Sequence, residues 1–77
     1  MSIKVLFFAS LRDELGRGED DVDAANINTV ADVWACVAAG KEMPSNLLMA
    51  VNQDYVNADA HVQDNDEVAF FPPVTGG

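Results

Sequence analysis

The chain has 77 residues, 49% of them hydrophobic, and a net charge of −9 from four basic and thirteen acidic residues. This length fits one domain, over residues 1–77. So acidic a surface repels phosphate groups, which argues against a nucleic-acid partner, and no stretch approaches the ~20 apolar residues of a membrane span. We therefore expect a cytoplasmic protein without a membrane partner, and its single cysteine fits a reducing compartment.

The first predicted element is a strand over residues 2–10, SIKVLFFAS, which is rich in β-branched and aromatic residues. Alternation along a strand gives it an apolar face that includes Val5 and a second face that includes Lys4 and Phe8. Since Lys4 indicates that the second face reaches water, Phe8 is a large aromatic on the less expected side.

A helical turn and a short strand follow. LRDELGRG (11–18) predicts a turn closed by Gly16 and Gly18, and these glycines lack the Gly-Lys-Ser/Thr of a nucleotide-binding loop. The acidic stretch 19–27 predicts a short strand around Val22, at the edge of a sheet, where charge discourages unwanted strand pairing.

The clearest helix is predicted over residues 28–40. Thr29 is a good N-cap, Asp32 suits the positive first turn, and Gly40 is a natural stop. One apolar stripe is predicted to face the core, formed by Val30, Val33, Trp34 and Val37. Cys36 lies at the edge of this stripe, and we expect it to be a small buried residue.

Residues 46–73 hold the remaining predicted strands. A buried run, LLMAVN, precedes a turn at 52–54 and a short strand at Tyr55 and Val56. A second turn at 64–66 leads into the last strand, EVAFF, whose alternating residues again divide between two faces.

These elements predict an α+β fold of two layers, with a mixed sheet packed on one main helix. The first and last strands are the most hydrophobic, so we expect them to lie side by side at the centre of the sheet. They are predicted to be parallel, because a helix separates them along the chain.

The side chains suggest little chemistry. His61 lies in a polar stretch and is interpreted as a solvated loop residue, and with Cys36 it falls short of the four ligands of a structural zinc site. Asp64 to Asp66 lack the glycine and glutamate that complete a calcium loop, which favours a turn.

The last eight residues, FFPPVTGG, are more informative. Pro72 and Pro73 stop the strand and stiffen the backbone, and residues 74–77 extend up to ~13 Å beyond them in a flexible tail, taken as 72–77. The two terminal glycines make a narrow chain that could enter a slot in another protein and present its carboxylate there. That carboxylate would need activation by another enzyme, and a frayed or truncated end is the alternative interpretation.

Three segments resemble one protein family: IKVLFFASLRDELG (3–16), AVNQDYV (50–56) and DEVAFFPPVTGG (66–77). They are similar to the small, sulfur-carrier subunits of molybdopterin synthase. The resemblance implies a ubiquitin-like β-grasp fold.

It also implies a role for the tail. Gly77 would be adenylated with ATP by an adenylyltransferase similar to ubiquitin-activating enzymes, and a sulfurtransferase would convert it to a thiocarboxylate, with Gly76 as the slender neck. The tail would enter the large subunit, in a heterotetramer of two small and two large subunits, and give sulfur to cyclic pyranopterin monophosphate to form molybdopterin. The chain itself would bind no cofactor and would be non-catalytic alone.

The strand faces that carry a charged residue, Lys4 in the first strand and Glu67 in the last, also suggest a contact surface for the large subunit. We expect Phe8, Tyr55 and Phe71 to form an exposed apolar patch around the root of the tail. Further contacts are expected from Pro72, Pro73, Val74 and Thr75. The alternative is that the three aromatic residues cover a minor core.

Other functions remain open at this point. The same fold could deliver sulfur to the thiazole of thiamine or to tRNA. It could modify lysines of other proteins as ubiquitin does, or it could be an interaction domain with an inert tail.

Overall fold

A computed structural model describes residues 2–38, 40, 42–43 and 46–72. The described residues form five strands, two α-helices and a short 3-10 helix. In chain order these are β1 (Ser2–Phe7), α1 (Ser10–Leu15), β2 (Glu19–Asp23), the 3-10 helix (Ala24–Asn26), α2 (Val30–Val37), β3 (Leu48–Val51), β4 (Asp54–Tyr55) and β5 (Glu67–Phe71).

The strands form one mixed sheet in the order β2-β1-β5-β3-β4. β1 and β5 run parallel at its centre, with Val5 opposite Val68, which confirms the prediction for the first and last strands. The other three pairs are antiparallel. β2 is an edge strand, as predicted, and four of its five residues are acidic.

The core lies between the sheet and α2. From the sheet, the central strands supply fully buried residues such as Val5 and Phe70, and α2 supplies its whole apolar stripe. The Trp34 ring packs edge-on against Phe70, with ring centroids 5.1 Å apart, and Phe7 stacks beside Phe70 at 6.2 Å. The prediction that Trp34 belongs to the core is therefore confirmed.

α2 begins where the sequence indicates. The Asp32 N–H donates to Thr29 Oγ1, and the Thr29 N–H donates back to Asp32 Oδ2. This reciprocal pair, a capping box, satisfies N–H groups that have no partner inside the helix. A third bond, from the Asn28 N–H to Asp32 Oδ2, and the bond from Thr29 hold the pKa of the Asp32 carboxyl below its ordinary value of 3.8.

The end of α2 and the position of Cys36 both differ from the predictions. The helix ends at Val37, not at Gly40, and Arg17 Nη2 donates to the Val37 carbonyl at 2.7 Å, so this free carbonyl is satisfied from outside the helix. Cys36 is exposed, not buried. Since each helical residue turns by ~100°, Cys36 lies about 110° from the centre of the apolar stripe, which puts it on the solvent side.

Other structural features bear on function. None of the helices in the described ranges is both long enough and apolar enough to cross a membrane. The same ranges contain no group of three His, Cys, Asp or Glu side chains placed to hold a metal ion. His61 is exposed, as expected.

Candidate functional site

The sheet has an open face, which we define as the face turned away from α2. Strand register places Leu6 of β1 beside Ala69 of β5, then Ala50 of β3 and Tyr55 of β4. Cross-strand partners lie on the same side of a sheet, so these four apolar residues form a row across the open face. An apolar row on an uncovered face is the first sign of a contact surface.

Three aromatic side chains, Phe8, Tyr55 and Phe71, meet on this face; we call them the aromatic cluster. The Phe71 ring lies between the other two, with ring centroids 5.5 Å from Phe8 and 5.7 Å from Tyr55, both in edge-to-face contact. Phe71 is half-buried, whereas Phe8 is 47% and Tyr55 72% exposed. So much exposure is not what the alternative of a minor core predicts.

Backbone geometry holds the two outer rings in place. The Phe8 N–H donates to the Phe70 carbonyl at 3.2 Å, which continues the β1–β5 ladder by one residue. Tyr55 follows a tight turn at Asn52 and Gln53, which both have positive φ (51° and 74°), as the type I′ turn of a two-residue hairpin requires. The Asn52 side chain anchors this turn, because its Oδ1 accepts from the Glu67 N–H at 3.0 Å.

A shallow groove of about 350 Å³ runs along the cluster, lined mainly by the apolar row and by Phe8 and Phe71. Beside it lies Leu48, which is 37% exposed and pairs with Phe71 in the register of β3 and β5. We predicted a buried strand here, so sequence reasoning missed Leu48 as part of the open face. Its run, LLMAV, is apolar throughout and does not reveal which residues face out.

The chain leaves the sheet next to the aromatic cluster. β5 ends at Phe71 and is followed by half-buried Pro72, which agrees with the prediction that proline stops the strand. Because β1 and β5 are parallel, Phe8 and Phe71 lie at the same end of the sheet. The remaining predicted site residues lie outside the described residues: Pro73, Val74, Thr75, Gly76 and Gly77.

The charges on the open face are unevenly distributed. Asp21 and Asp23, both exposed, lie on it opposite Lys4 and Ser2, at the end of the sheet away from the aromatic cluster. Lys4 Nζ is 3.7 Å from the Glu19 carboxylate, and both side chains are more than half exposed, so this ion pair contributes little to stability. The face therefore has a mainly apolar end, where β5 leaves it, and an acidic end, with the exposed Glu19 of β2 opposite Leu6 at the border of the apolar end.

Residues 5–77 match the ThiS family. The chain is 46% identical over 81 residues to the molybdopterin synthase sulfur carrier subunit of Escherichia coli (strain K12), a match that covers 97% of this chain and 99% of that protein.

Solved structures share the fold. SAMP1 of Haloferax volcanii, a small archaeal modifier protein, matches with a TM-score of 0.79 and 26% identity over the whole of both chains. A chain of the complex of subunits 1 and 2 of molybdopterin-converting factor from Helicobacter pylori matches with a TM-score of 0.67, also over both whole chains; at 23% identity it shows the fold alone. The fold is thus the ubiquitin-like β-grasp, and the chain belongs to the ThiS family, with molybdopterin synthase sulfur carrier subunits among its relatives.

Proposed function

We propose that the chain is the sulfur carrier subunit of a molybdopterin synthase and that Gly77 carries the sulfur as a terminal thiocarboxylate. The observation that supports this most is the family match, which continues through residue 77, together with the 46% identity to the Escherichia coli subunit. The proposal requires that the mature chain end at Gly77.

The chemistry uses the main-chain carboxylate of Gly77. A carboxylate does not react with nucleophiles, so ATP first converts it to an acyl-adenylate with release of pyrophosphate. Sulfide then attacks the acyl carbon and displaces AMP, which leaves the thiocarboxylate. If the sulfurtransferase presents the sulfur as a persulfide, attack forms an acyl disulfide, and a thiol reduces its S–S bond to release the thiocarboxylate. This group is a soft nucleophile that attacks cyclic pyranopterin monophosphate, and hydrolysis of the resulting acyl–sulfur bond regenerates the carboxylate and leaves one sulfur on the precursor. Two thiocarboxylated chains are used for each molybdopterin, because its dithiolene contains two sulfurs.

Other proteins provide the catalysis in this scheme. An adenylyltransferase similar to ubiquitin-activating enzymes forms the adenylate, a sulfurtransferase supplies the sulfur, and the large subunit of the synthase holds the precursor. We propose a heterotetramer of two small and two large subunits. Gly76, next to the reacting group, keeps the chain narrow where it enters the large subunit.

The open face supplies the docking surface in this proposal. The aromatic cluster exposes a contiguous apolar surface, and Pro72 begins the segment that leads to Gly77. Aromatic anchors contribute much of the binding energy in protein interfaces. A partner that covers the cluster is therefore next to the start of the tail, and Pro73, Val74 and Thr75 are proposed to line its entry channel.

The intact mass of the chain isolated from cells tests this function. We expect a fraction of the chain to be heavier by the exchange of one oxygen for one sulfur, and we expect a large subunit of molybdopterin synthase to co-purify with it. A mass gain without the large subunit would indicate sulfur delivery to thiamine or tRNA. If the chain in active cells always carried an unmodified carboxylate, the proposal would be wrong.

A second candidate is protein modification, favoured by the TM-score of 0.79 to the modifier SAMP1. A modifier would join Gly77 to a lysine amine through an isopeptide bond. Its signature is a set of higher-mass conjugates that disappear when Gly77 is deleted. Mass spectrometry of the same cell extract separates the two functions, because a carrier returns to the free carboxylate whereas a modifier remains attached.

A further inference from the structure

Arg12 of α1 lies beside the open face. Its side chain lies against the backbone of Gly18, where a Cβ added to that glycine would stand only 3.3 Å from Arg12 Nε. Leu6 and Glu19 line the same shallow cleft, and Leu6 also lines the groove along the aromatic cluster. The guanidinium is thus at the border of the apolar surface.

Arg12 also differs from the other basic residues in the described part of the chain. Lys4 pairs with Glu19, and Arg17 pairs with Asp20 at 3.0 Å. By contrast, no carboxylate in the described ranges lies within ion-pair distance of the Arg12 guanidinium, although Asp13 and Glu14 follow it on α1. Its positive charge is therefore available to another molecule.

The charges of the open face favour one kind of partner. A chain of net charge −9 repels acidic groups over most of its surface. A carboxylate on a docking protein is therefore best tolerated where an unpaired positive charge faces it. Arg12 offers that charge at the apolar end of the face, where the carboxylate of Glu19, in the same cleft, is already paired with Lys4. Asp21 and Asp23, by contrast, repel a carboxylate at the other end.

We propose that a carboxylate of the large subunit pairs with Arg12 when that subunit covers the aromatic cluster, and that this ion pair orients the large subunit relative to the tail. The inference rests on the proposed function. Apolar contact has little directionality, whereas a charged pair specifies register and speeds association. The planar guanidinium matches a carboxylate with two parallel hydrogen bonds.

The test measures how tightly the purified large subunit from the same organism binds the 77-residue chain and three variants. Arg12→Glu is expected to weaken binding by about tenfold or more at low salt. Arg12→Lys should lose less than Arg12→Glu, because it keeps the charge but not the two parallel hydrogen bonds of the guanidinium. Lys4→Glu is the control for total charge, since it makes the same charge change on the same face but at its acidic end. Because it also frees Glu19, which lines the cleft of Arg12, a small loss is expected from this variant too. We expect a loss well below that of Arg12→Glu.

Salt supplies a second readout. Near 1 M salt the screening length is ~3 Å, so the difference between wild type and Arg12→Glu should shrink markedly. Thermal unfolding and circular dichroism should be the same for both, because the Arg12 side chain makes no hydrogen bond within the described part of the chain.

Two outcomes would overturn the inference: equal losses for Arg12→Glu and Lys4→Glu, which would show an effect of total charge only, or no loss for Arg12→Glu. Neither affects the proposed function, which depends on Gly77 and on binding of the wild-type chain. If the wild-type chain did not bind a large subunit at all, the proposed function would fail first.

Discussion

Both faces of the sheet carry aromatic residues, but those on one face are buried and those on the other are partly or largely exposed to solvent. On the α2 side, Phe70 is fully buried and packs against Trp34 and Phe7. On the open side its neighbour in sequence, Phe71, is half-buried and makes edge contacts with the exposed rings of Phe8 and Tyr55. Adjacent phenylalanines thus belong to two different surfaces.

This contrast separates folding from docking. A side chain buried against α2 stabilises the fold because it is removed from water when the chain folds. The aromatic cluster keeps much of its apolar surface in water after folding. Burial of that surface by a partner therefore contributes to the free energy of binding, not to the stability of the fold. We therefore predict that mutations on the buried face mainly lower the free energy of unfolding, whereas mutations on the open face mainly weaken binding of the large subunit.

The largest effect on stability is expected from the buried face. Phe70→Ala removes a fully buried ring and leaves a cavity, which costs about 3–5 kcal/mol in the free energy of unfolding. A domain of this length has a total stability of about 4–12 kcal/mol. We therefore expect thermal and urea denaturation to show a large loss of stability, and a variant that is unfolded if the wild-type stability lies at the lower end of this range. A loss below ~1 kcal/mol would contradict the assignment of Phe70 to the core.

Phe71→Ala should have the opposite profile. We expect it to lower stability by only about 1 kcal/mol, because the ring is half-buried, and to weaken binding of the large subunit by about thirtyfold, as for an interface anchor. Titration calorimetry and urea denaturation measure the two effects on the same preparation.

His61→Ala is the control for Phe71→Ala, since His61 is exposed but lies on the segment that bridges to Thr29, away from the open face. It should leave binding unchanged. If Phe71→Ala destabilised the fold as much as it weakened binding, the distinction between the two faces would be lost.

The smallest effect concerns the start of α2 and depends on pH. The folded chain lowers the pKa of Asp32 below 3.8, so the carboxylate stabilises the fold fully above that pH, and the contribution is lost as pH falls below 3.8 through the folded pKa. The stability difference between wild type and Asp32→Asn should therefore be constant near neutral pH and shrink in acid. A difference that stayed constant into strong acid would contradict this account of the capping box.

Much of the fold follows from short-range patterns in the sequence. Thr29 and Asp32 have the spacing of a cap, and alternation in EVAFF correctly divides Phe70 from Phe71. The same alternation placed Phe8 on the open face. These features depend on residues only a few positions apart, which is why the sequence alone could predict them.

Features that depend on distant residues were missed. The bond from Arg17 to the Val37 carbonyl joins residues 20 positions apart, and the exposure of Leu48 follows from its register with Phe71. Cys36 was placed on the wrong side of α2, although helical spacing alone could have corrected this. In the candidate site, the aromatic cluster was predicted from the sequence. The unpaired charge of Arg12 was not, because the ion pairs of a side chain depend on which residues the fold brings close to it.

The central claim is that the carboxylate of Gly77 is the reacting group, delivered by a fold that docks through its open face. Reconstitution with the large subunit, the activating enzyme, a sulfur source and cyclic pyranopterin monophosphate tests it, comparing the chain with a form extended by one alanine after Gly77. We predict that the extended form binds the large subunit but yields no molybdopterin. Normal molybdopterin synthesis by the extended form, with mass spectrometry showing that the alanine is still present, would contradict the account.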